Sequence, residues 1–571
     1  MTCLRWIALA AALVVAPRAQ ANTGSDSWYL HDDQIGAHVI AAAPNGHPLR
    51  PRIHANGSDF KAEINERHPI EPNAYREYLD TLVKTLRDSK PRKILIFIHG
   101  GMNLPGGALR RSAILGADPT LNEEYYPIFI NWNSGPLSTY GEHLFLVRQG
   151  QRAPVFGALT SPFYLASDLT RALVRAPVVW VKLLQDQFDP YERRRATFSQ
   201  ESWRYLKQNP GPGHPKNPDL TTTDLQESDK RSRVQLTTNE LHSLSLVLKA
   251  PAEIILDAIG TGAWEMMLRR SRQLFDSPTR FKEQKPRDRQ GINEVVRLAR
   301  AQPRGEPRTQ QELDRIDAQL KGLYEGEGEN RAEVSVSTAP RKKRNVDYLV
   351  RSDAGAVETF LTRLEQEVGR DPRRKYSITL IGHSMGAIVA NEILLRHPRL
   401  PVDNIVYLAA ACSVKESEDA VIPYLRQNIA AQFYSLSLHP IAEISETFMS
   451  PEREHPSVID YSKATVGLLV PRGSLLQWLD AFFTQPLNLE DRRLGKWSTS
   501  ISSAGIFPSD VSNRIHLTMF PVGVSNLPQK HGQFASESFP TRFWQKEFWQ
   551  PNATPEMKAP LPQQQMSMQF H

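Results

Sequence analysis

Residues 376–398 read YSITLIGHSMGAIVANEILLRHP and contain the stretch that decides the fold. An apolar pattern typical of a strand, at residues 376–381, leads directly into Gly382-His383-Ser384-Met385-Gly386. A helical pattern follows, with apolar residues on one face at Ile388, Val389, Ile393 and Leu394. Gly-x-Ser-x-Gly between a strand and a helix is the arrangement of a nucleophile elbow, in which a sharp turn lifts the serine hydroxyl clear of the sheet. The two glycines are required because a Cβ there would collide with the neighbouring strand and helix. We therefore predict that Ser384 is a catalytic nucleophile.

A second apolar run, at residues 93–98, is typical of a strand buried on both faces. It ends in the turn His99-Gly100-Gly101-Met102-Asn103. Attack on a carbonyl carbon creates an oxyanion, which must be stabilised by backbone N–H donors aimed at it. One predicted donor is Met385, which follows the nucleophile, and the other comes from the turn. We expect the second donor to be Gly101, with Met102 as the alternative.

With these two motifs the chain resembles the α/β-hydrolase superfamily, and specifically its serine esterases and lipases. The resemblance covers roughly residues 74–135 and 346–550, and it implies a catalytic triad in the order Ser, acid, His. Apolar runs predict further strands at 126–132, 404–410, 432–438 and 515–520. Strands that alternate with helical stretches predict an α/β fold with a doubly wound, mostly parallel sheet and active groups at the carboxyl ends of its strands. The fold class implied is the α/β-hydrolase fold with a large, mainly helical insertion.

The catalytic base should be a histidine on the loop after the last strand. Among sixteen histidines His531 fits this position, and Gly532 beside it leaves room for the imidazole to move. Its Nε2 would take the Ser384 proton and pass it to the leaving group. His516 lies within the strand itself and is rejected, and His99 and His383 fill motif positions without the character of a base.

The triad acid is harder to place, because no aspartate follows the strand at 432–438. A glutamate can accept the imidazole Nδ1–H equally well, and Glu443 is nearest to the expected loop. Glu446 lies one turn further on. A loop after the preceding strand offers three more candidates, Glu416, Glu418 and Asp419. Glu443 is our predicted acid, and the other four carboxylates stay open.

Changes in amino-acid composition along the chain divide it into five predicted segments. Residues 1–21 have a short basic start, an apolar stretch and a small-x-small cleavage site, so they predict a signal peptide and a mature chain that begins at Asn22. The two parts of the core are predicted at residues 22–135 and 346–550. Between them, a helical insert or lid is predicted at 136–345, with disordered polar linkers at about 208–232 and 277–345. Within the insert, apolar residues at helical spacing predict helices at about 169–184 and 240–275. Residues 551–571 predict a disordered tail.

The charge balance and the cysteine count narrow the functional classes further. With 69 basic and 62 acidic residues in 571, a net charge of +7 is too dilute for a nucleic-acid footprint, although it is compatible with peripheral contact with a membrane. Removal of the signal leaves Cys412 alone, so no intrachain disulfide can form. No His, Cys or carboxylate set has metal-ligand spacing, and we expect neither a metal nor a cofactor. The oligomeric state stays open.

The residues therefore support an exported serine hydrolase, periplasmic or secreted, that cleaves small-molecule or lipid carboxylic esters through an acyl-enzyme intermediate. A second hypothesis is a hydrolase-fold protein whose catalysis has decayed and which binds a lipid or an envelope partner. The intact elbow, the oxyanion turn and His531 favour the enzyme. The missing aspartate favours the binding protein.

Overall fold

The structure, a computed structural model, describes residues 28–188, 246–276, 354–446 and 473–549, apart from short gaps at 58, 67, 90, 92, 149–150, 153, 371–374, 504–506, 521–526 and 537–541. The predicted signal peptide, polar linkers and carboxyl-terminal tail lie outside the described residues. The described residues up to Phe275 and from Gly355 belong to one compact unit. In this part of the chain no helix combines the length and apolarity that a bilayer span requires.

Twelve strands and fourteen α-helices are described, and they alternate over much of the chain. The strands are β1 Val39–Ala42, β2 Pro48–Leu49, β3 Pro51–Asn56, β4 Asp59–Ile64, β5 Lys93–Ile98, β6 Tyr126–Trp132, β7 Val147–Arg148, β8 Gln151–Arg152, β9 Ser377–His383, β10 Val402–Leu408, β11 Gln432–Leu438 and β12 Ile515–Phe520. The helices are α1 Asp32–Ile35, α2 Pro72–Asp88, α3 Pro105–Gly116, α4 Pro119–Glu124, α5 Pro136–Phe145, α6 Pro154–Phe188, α7 Leu246–Gln273, α8 Ala356–Arg370, α9 Gly386–Arg396, α10 Val414–Gln427, α11 Pro440–Ser445, α12 Leu475–Trp478, α13 Trp497–Ser503 and α14 Lys546–Trp549. A π-helical turn, Leu479–Phe483, continues α12, and short 3-10 turns lie at Leu489–Asp491, Ser512–Arg514 and His531–Ala535.

Eight strands form one sheet in the order β2-β1-β6-β5-β9-β10-β11-β12. Every neighbouring pair is parallel except β1 and β2, which are antiparallel. All seven residues of β6 and five of the six in β5 are buried, as expected for central strands covered on both faces. The predicted α/β architecture with a mostly parallel sheet is therefore confirmed.

The strand order reverses at β5. The chain passes from β5 to β6 on one side, and β9 later pairs with β5 on the other side. At such a reversal the connections that leave the two strands diverge and open a crevice at their carboxyl ends. The His99 turn and Ser384 follow these two strands, so the topology alone brings the two sequence motifs to one place.

Most predicted elements agree with the structure, and the differences have local causes. The strand predicted at 404–410 begins earlier and ends at Leu408, because Ala409 has a left-handed φ of +46° that interrupts the extended chain. The helix predicted at 169–184 is part of α6, which runs from Pro154 to Phe188 and continues through Pro162 and Pro177.

Three helices of the predicted insert pack together. The helix α7 lies against both α5 and α6, and it also contacts the π-helical turn at Leu479–Phe483. Arg270 near the end of α7 is buried and donates from Nε to Glu142 Oε2 of α5 at 2.7 Å. Its Nη1 also donates to the carbonyl oxygen of Asn133, just after β6. These contacts fix α7 over the carboxyl end of β6.

Candidate active site

Ser384 lies at the turn between β9 and α9 in a conformation that is rare for a residue with a side chain. Its φ is +54°, and its N–H donates to the carbonyl oxygen of Leu408 at 2.8 Å. Only 1% of the residue is exposed, and its Oγ has no hydrogen-bond partner among the described residues. A left-handed non-glycine residue persists only where its surroundings impose it. The surrounding structure therefore holds Ser384 in this strained conformation, which a glycine would adopt without strain.

The glycines on either side allow close approach of the backbone. A Cβ on Gly386 would lie 2.2 Å from the carbonyl oxygen of Ile98 at the end of β5, and one on Gly382 would lie 2.8 Å from the backbone of Ala387. Real Cβ atoms do not approach backbone this closely, so no larger residue fits without movement of the strand or the helix. The predicted reason for both glycines is confirmed.

The turn after β5 packs directly on the elbow. A Cβ on Gly100 would lie 2.9 Å from the Cβ of Ser384, and one on Gly101 would lie 3.1 Å from the Sδ of Met385. The carboxamide of Asn103 donates to the carbonyl oxygens of Gly100 and Gly101 at 2.9 and 3.0 Å. These bonds turn both carbonyl groups toward Asn103 and hold the backbone of the turn in place.

Hydrogen bonds distinguish between Gly101 and Met102, the two candidate donors in this turn. The N–H of Met102 donates to the carbonyl oxygen of Ser134 at 2.9 Å, and Met102 itself has a left-handed φ of +64°. By contrast, no described residue accepts a hydrogen bond from the N–H of Gly101 or of Met385. Of the turn's two candidates, only Gly101 is left with an N–H that could stabilise an oxyanion beside Ser384, together with Met385.

His99 orients the same turn. Its Nε2 accepts from the N–H of Trp132 at 3.1 Å, so the proton of the neutral ring is on Nδ1, which donates to the carbonyl oxygen of Gly100 at 2.7 Å. Burial lowers the pKa of His99 to about 4. A neutral ring with both nitrogens occupied cannot act as a base, and its contacts instead tie the turn to β6.

His531 is the first residue of a 3-10 turn after β12, and it contacts the elbow through His383. The Nε2 of His383 donates to the carbonyl oxygen of His531 at 3.1 Å, and the centroids of the two rings are 5.2 Å apart. The structure therefore brings His531 next to the residue that precedes Ser384. Both ring nitrogens of His531 are buried without a hydrogen-bond partner among the described residues. Burial lowers its pKa to about 4, so the ring is neutral at physiological pH.

The predicted acid, Glu443, contacts a different residue. Its carboxyl group is hydrogen-bonded to the hydroxyl of Ser474, and its backbone carbonyl accepts from the N–H of Ser474 at 2.7 Å. Burial raises the pKa of Glu443 to about 8, which leaves the group uncharged at neutral pH. No hydrogen bond joins Glu443 to the His531 ring, so the structure does not form the predicted pair. Glu443 instead anchors the start of α12.

Glu446 is the carboxylate that contacts His531. Its Oε2 accepts from the backbone N–H of His531 at 2.9 Å. Burial raises the pKa of Glu446 to about 7, and this hydrogen bond opposes the rise. The contact is to the backbone, and the Nδ1 of the ring has no acceptor among the described residues.

The three candidates after β10 lie on α10. Glu416 closes a capping box, because it accepts from the N–H of Ser413 at 2.7 Å while the Ser413 hydroxyl accepts from the N–H of Glu416. That role accounts for its position. Neither Glu418 nor Asp419 is hydrogen-bonded to the His531 ring.

An apolar cavity lies beside the two N–H groups. Its volume is about 80 Å³, and Gly101 and Met385 form part of its wall. Most of the remaining wall comes from α7 and from the segment that begins at α12. The lining residues from these two elements are Leu256, Ile259, Gly260, Ala263, Trp264, Met267, Leu475, Trp478 and Phe483. The cavity is therefore an apolar space that borders both the elbow and the turn after β5.

The sequence patterns do not identify the residues that position this site. Ser134 holds the turn and His383 holds the loop of His531, yet each is a common polar residue whose partner is distant in the chain. Asn103 also holds the turn, through bonds to the nearby Gly100 and Gly101. For Asn103 the only signal is its place at the end of the glycine turn. No group of three or more His, Cys, Asp or Glu side chains that could hold a metal ion occurs among the described residues.

Comparison of the chain with known protein families, with curated proteins and with solved structures finds no match.

Proposed function

We propose that the protein is a serine hydrolase that cleaves carboxylic esters through an acyl-enzyme intermediate. The observation that carries this proposal is the left-handed Ser384 between β9 and α9, with the Gly100–Gly101 turn packed against it. The proposal is supported by the contact of this turn with Ser384 and Met385, and by the N–H groups of Gly101 and Met385, which have no acceptor among the described residues. A tetrahedral intermediate of acyl transfer requires a nucleophile and donors in such an arrangement.

In the proposed reaction the Ser384 oxygen attacks the ester carbonyl carbon while His531 Nε2 takes the hydroxyl proton. The carbonyl oxygen becomes an oxyanion that accepts from Gly101 and Met385. When the C–O bond to the alcohol breaks, His531 returns the proton to the leaving alkoxide. A water molecule then attacks the acyl-enzyme, again with His531 as base, and the acid and Ser384 are released.

We infer that Glu446 is the triad acid, in place of Glu443. Glu446 already contacts the backbone of His531, and its pKa of about 7 allows it to be ionised near neutral pH. Backbone N–H and ring Nδ1 of one histidine lie within a few ångströms, and catalytic hydrogen bonds often tighten only when substrate binds. Glu443 is protonated at neutral pH and engaged with Ser474, so it is poorly suited to stabilise an imidazolium.

The α/β-hydrolase superfamily is the family that the site supports best. A sheet with its order reversed at β5, a strand-elbow-helix unit and a histidine after the last strand follow the arrangement that the resemblance implies. In this reading α5, α6 and α7 belong to the helical insertion. The antiparallel β2 at the edge and the parallel β1 are consistent with a core of this kind.

The cavity beside Gly101 and Met385 is a suitable site for the acyl portion of the substrate. It is about half the size of the ~150 Å³ apolar cavity that in another protein holds benzene, so it accepts an acyl chain of about two to four carbons. Its wall in the described residues is almost entirely apolar side chain and glycine. We therefore propose short acyl esters as the preferred substrates.

One observation favours the second hypothesis, a catalytically decayed hydrolase-fold protein that binds a lipid or an envelope partner. The His531 ring has no carboxylate acceptor in the described residues, and an unsupported histidine is a weaker base. The same pocket would then hold a ligand without turning it over.

Turnover of p-nitrophenyl esters of increasing acyl length tests the proposal. We expect hydrolysis of the acetate and butyrate esters, a steep loss for longer chains, and a loss of several orders of magnitude in both Ser384→Ala and His531→Ala. The double variant should be no worse than either single variant, because the two residues act as a unit. Equal rates in Ser384→Ala and wild type would rule out this nucleophile, and no turnover by folded wild type would favour the binding protein.

Export is a separate proposal, which depends on the amino-terminal pattern of residues 1–21. Intact mass measurement of the protein secreted or exported from its host should show a chain that begins at Asn22. A full-length mass that includes Met1 in the cytoplasmic fraction would contradict it.

A further inference from the structure

The ring of Phe483 packs against Gly260 of α7 at the wall of the apolar cavity. A Cβ on Gly260 would overlap two carbon atoms of this ring, so the ring fills space that any other residue at position 260 would need. Phe483 is the last residue of the π-helical turn, and turns of this kind are rare and frequently lie at functional sites. The ring therefore reaches the backbone of α7 and takes up volume that borders the cavity.

The backbone beside Phe483 is tied to two helices. Arg175 of α6 donates from Nη2 to the carbonyl oxygen of Phe482 at 2.6 Å. The same guanidinium forms an ion pair with the buried Asp257 of α7 at 3.4 Å. The π-helical turn is thus held against both α6 and α7, and it resists the displacement that a longer ligand in the cavity would require.

We propose that Phe483 is the specificity-determining residue that limits the length of the acyl chain, an inference that rests on the ester hydrolysis proposed above. The cavity is also bordered by Gly101 and Met385, whose N–H groups are the proposed oxyanion donors. An acyl chain that enters the cavity from there has about 80 Å³ available before it meets the side chains of α7 and of the π-helical turn.

Among the large side chains of the wall, Phe483 is the one that the core does not require. Trp478 and Met267 are 3% and 5% exposed, and both belong to the buried clusters that pack the helices together. Phe483 is only partly buried, and the residue it packs against on α7 is a glycine. Loss of its ring therefore leaves open space, because Gly260 has no side chain that could fill it.

Two substitutions of Phe483 enlarge the cavity by different amounts. Phe483→Ala removes a group the size of benzene, so the accepted acyl chain should lengthen from about four carbons to about eight. Phe483→Leu removes less volume and should allow about six carbons. The matched control is Phe145→Ala, which makes the same deletion at a half-exposed position of α5 that does not line the cavity.

Hydrolysis of p-nitrophenyl butyrate, hexanoate and octanoate by these proteins tests the proposal. The ratio of kcat/KM for octanoate to that for butyrate should rise about a hundredfold or more in Phe483→Ala, because one methylene that a pocket accepts or rejects changes kcat/KM by about 10- to 200-fold. The rise should be smaller in Phe483→Leu and absent in Phe145→Ala. A ratio within one protein is unaffected by a loss of folded enzyme, and the leucine variant serves if the alanine variant does not fold.

A second measurement separates this proposal from the proposed hydrolysis. In the Ser384→Ala background, isothermal titration calorimetry measures the binding of butanoate and octanoate without turnover. Octanoate should bind at least about tenfold more tightly when Phe483 is also replaced by alanine. If wild type hydrolyses no ester but this difference is found, the proposed hydrolysis fails and the role of Phe483 in limiting chain length stands.

Two outcomes would overturn the role of Phe483. The first is an unchanged ratio of octanoate to butyrate hydrolysis in folded Phe483→Ala and Phe483→Leu, with no gain in octanoate binding. The second is a wild-type protein that already hydrolyses octanoate as fast as butyrate, since Phe483 would then set no limit at this length.

Discussion

Replacement of Glu446 by glutamine should separate the proposed triad acid from its neighbour. The amide keeps the size and the hydrogen bond to the His531 N–H, but it removes the charge that would stabilise an imidazolium. Loss of the carboxylate from a serine triad costs about four orders of magnitude in kcat. We expect a loss of that size in Glu446→Gln, with little change in KM.

The pH dependence of kcat/KM tests the same assignment of Glu446 independently. Burial raises the pKa of Glu446 to about 7, so its ionised, active form is present above pH 7 and is lost as the pH falls through that value. His531, with a pKa of about 4, stays neutral over the same range. Wild-type kcat/KM should therefore decrease about tenfold per pH unit below about 7. The glutamine variant should show a low, flat profile down to about pH 5.

The matched control is Glu443→Gln. Glu443 is uncharged at neutral pH and contacts Ser474, so an amide of the same shape should change kcat less than about tenfold. Profiles of kcat/KM against pH for the three proteins, with circular dichroism as a check on folding, make the comparison. A large loss in Glu443→Gln with near-normal Glu446→Gln would refute the reasoning and restore Glu443 as the acid.

Three further predictions concern packing, specificity and stability. Gly386→Ala should lower the free energy of unfolding in urea by roughly 1–3 kcal/mol, because its Cβ would lie 2.2 Å from the carbonyl oxygen of Ile98. The control Gly107→Ala, which has open space around it, should be neutral or stabilising. Ala263→Leu should fill the apolar cavity and shift kcat/KM toward acetate over butyrate esters about tenfold; an unchanged ratio would remove the cavity from the acyl site. Burial lowers the pKa of His397, but two glutamate partners raise it to about 9 overall. The free energy of unfolding in urea should therefore be highest below about pH 6.5 and fall by up to about 3 kcal/mol as the pH rises through 9; a free energy that stays constant over this range would contradict the pairing.

The central strands and the elbow could be predicted from sequence because their signals are local. The runs at β5 and β6 are largely apolar, those at β11 and β12 alternate apolar with polar residues, and the structure places all four at the predicted residues. The Gly-x-Ser-x-Gly turn likewise needs no distant partner to be recognised. Strand β1 was not predicted, because four apolar residues, Val39–Ala42, carry no distinctive period and gain their place only by pairing with β6.

The acid could not be predicted because its identity depends on contacts far apart in the chain. Glu443 and Glu446 lie on the same short segment, and nothing in their local sequence separates them. Ser474 engages the first and the His531 backbone contacts the second, at sequence separations of 31 and 85 residues. The same is true of Met102, whose N–H is excluded as a candidate oxyanion donor only by its bond to the distant Ser134.

Reaction with a fluorophosphonate probe, followed by peptide mapping, tests the activated serine most directly. Because only a serine with a functioning base and oxyanion hole reacts quickly, the account predicts rapid, stoichiometric labelling of Ser384 near pH 8. Labelling should be lost in Ser384→Ala and strongly slowed in His531→Ala, while both variants stay folded. A folded wild-type protein that is not labelled, or is labelled at another serine, would contradict the claim that Ser384 is a catalytic nucleophile.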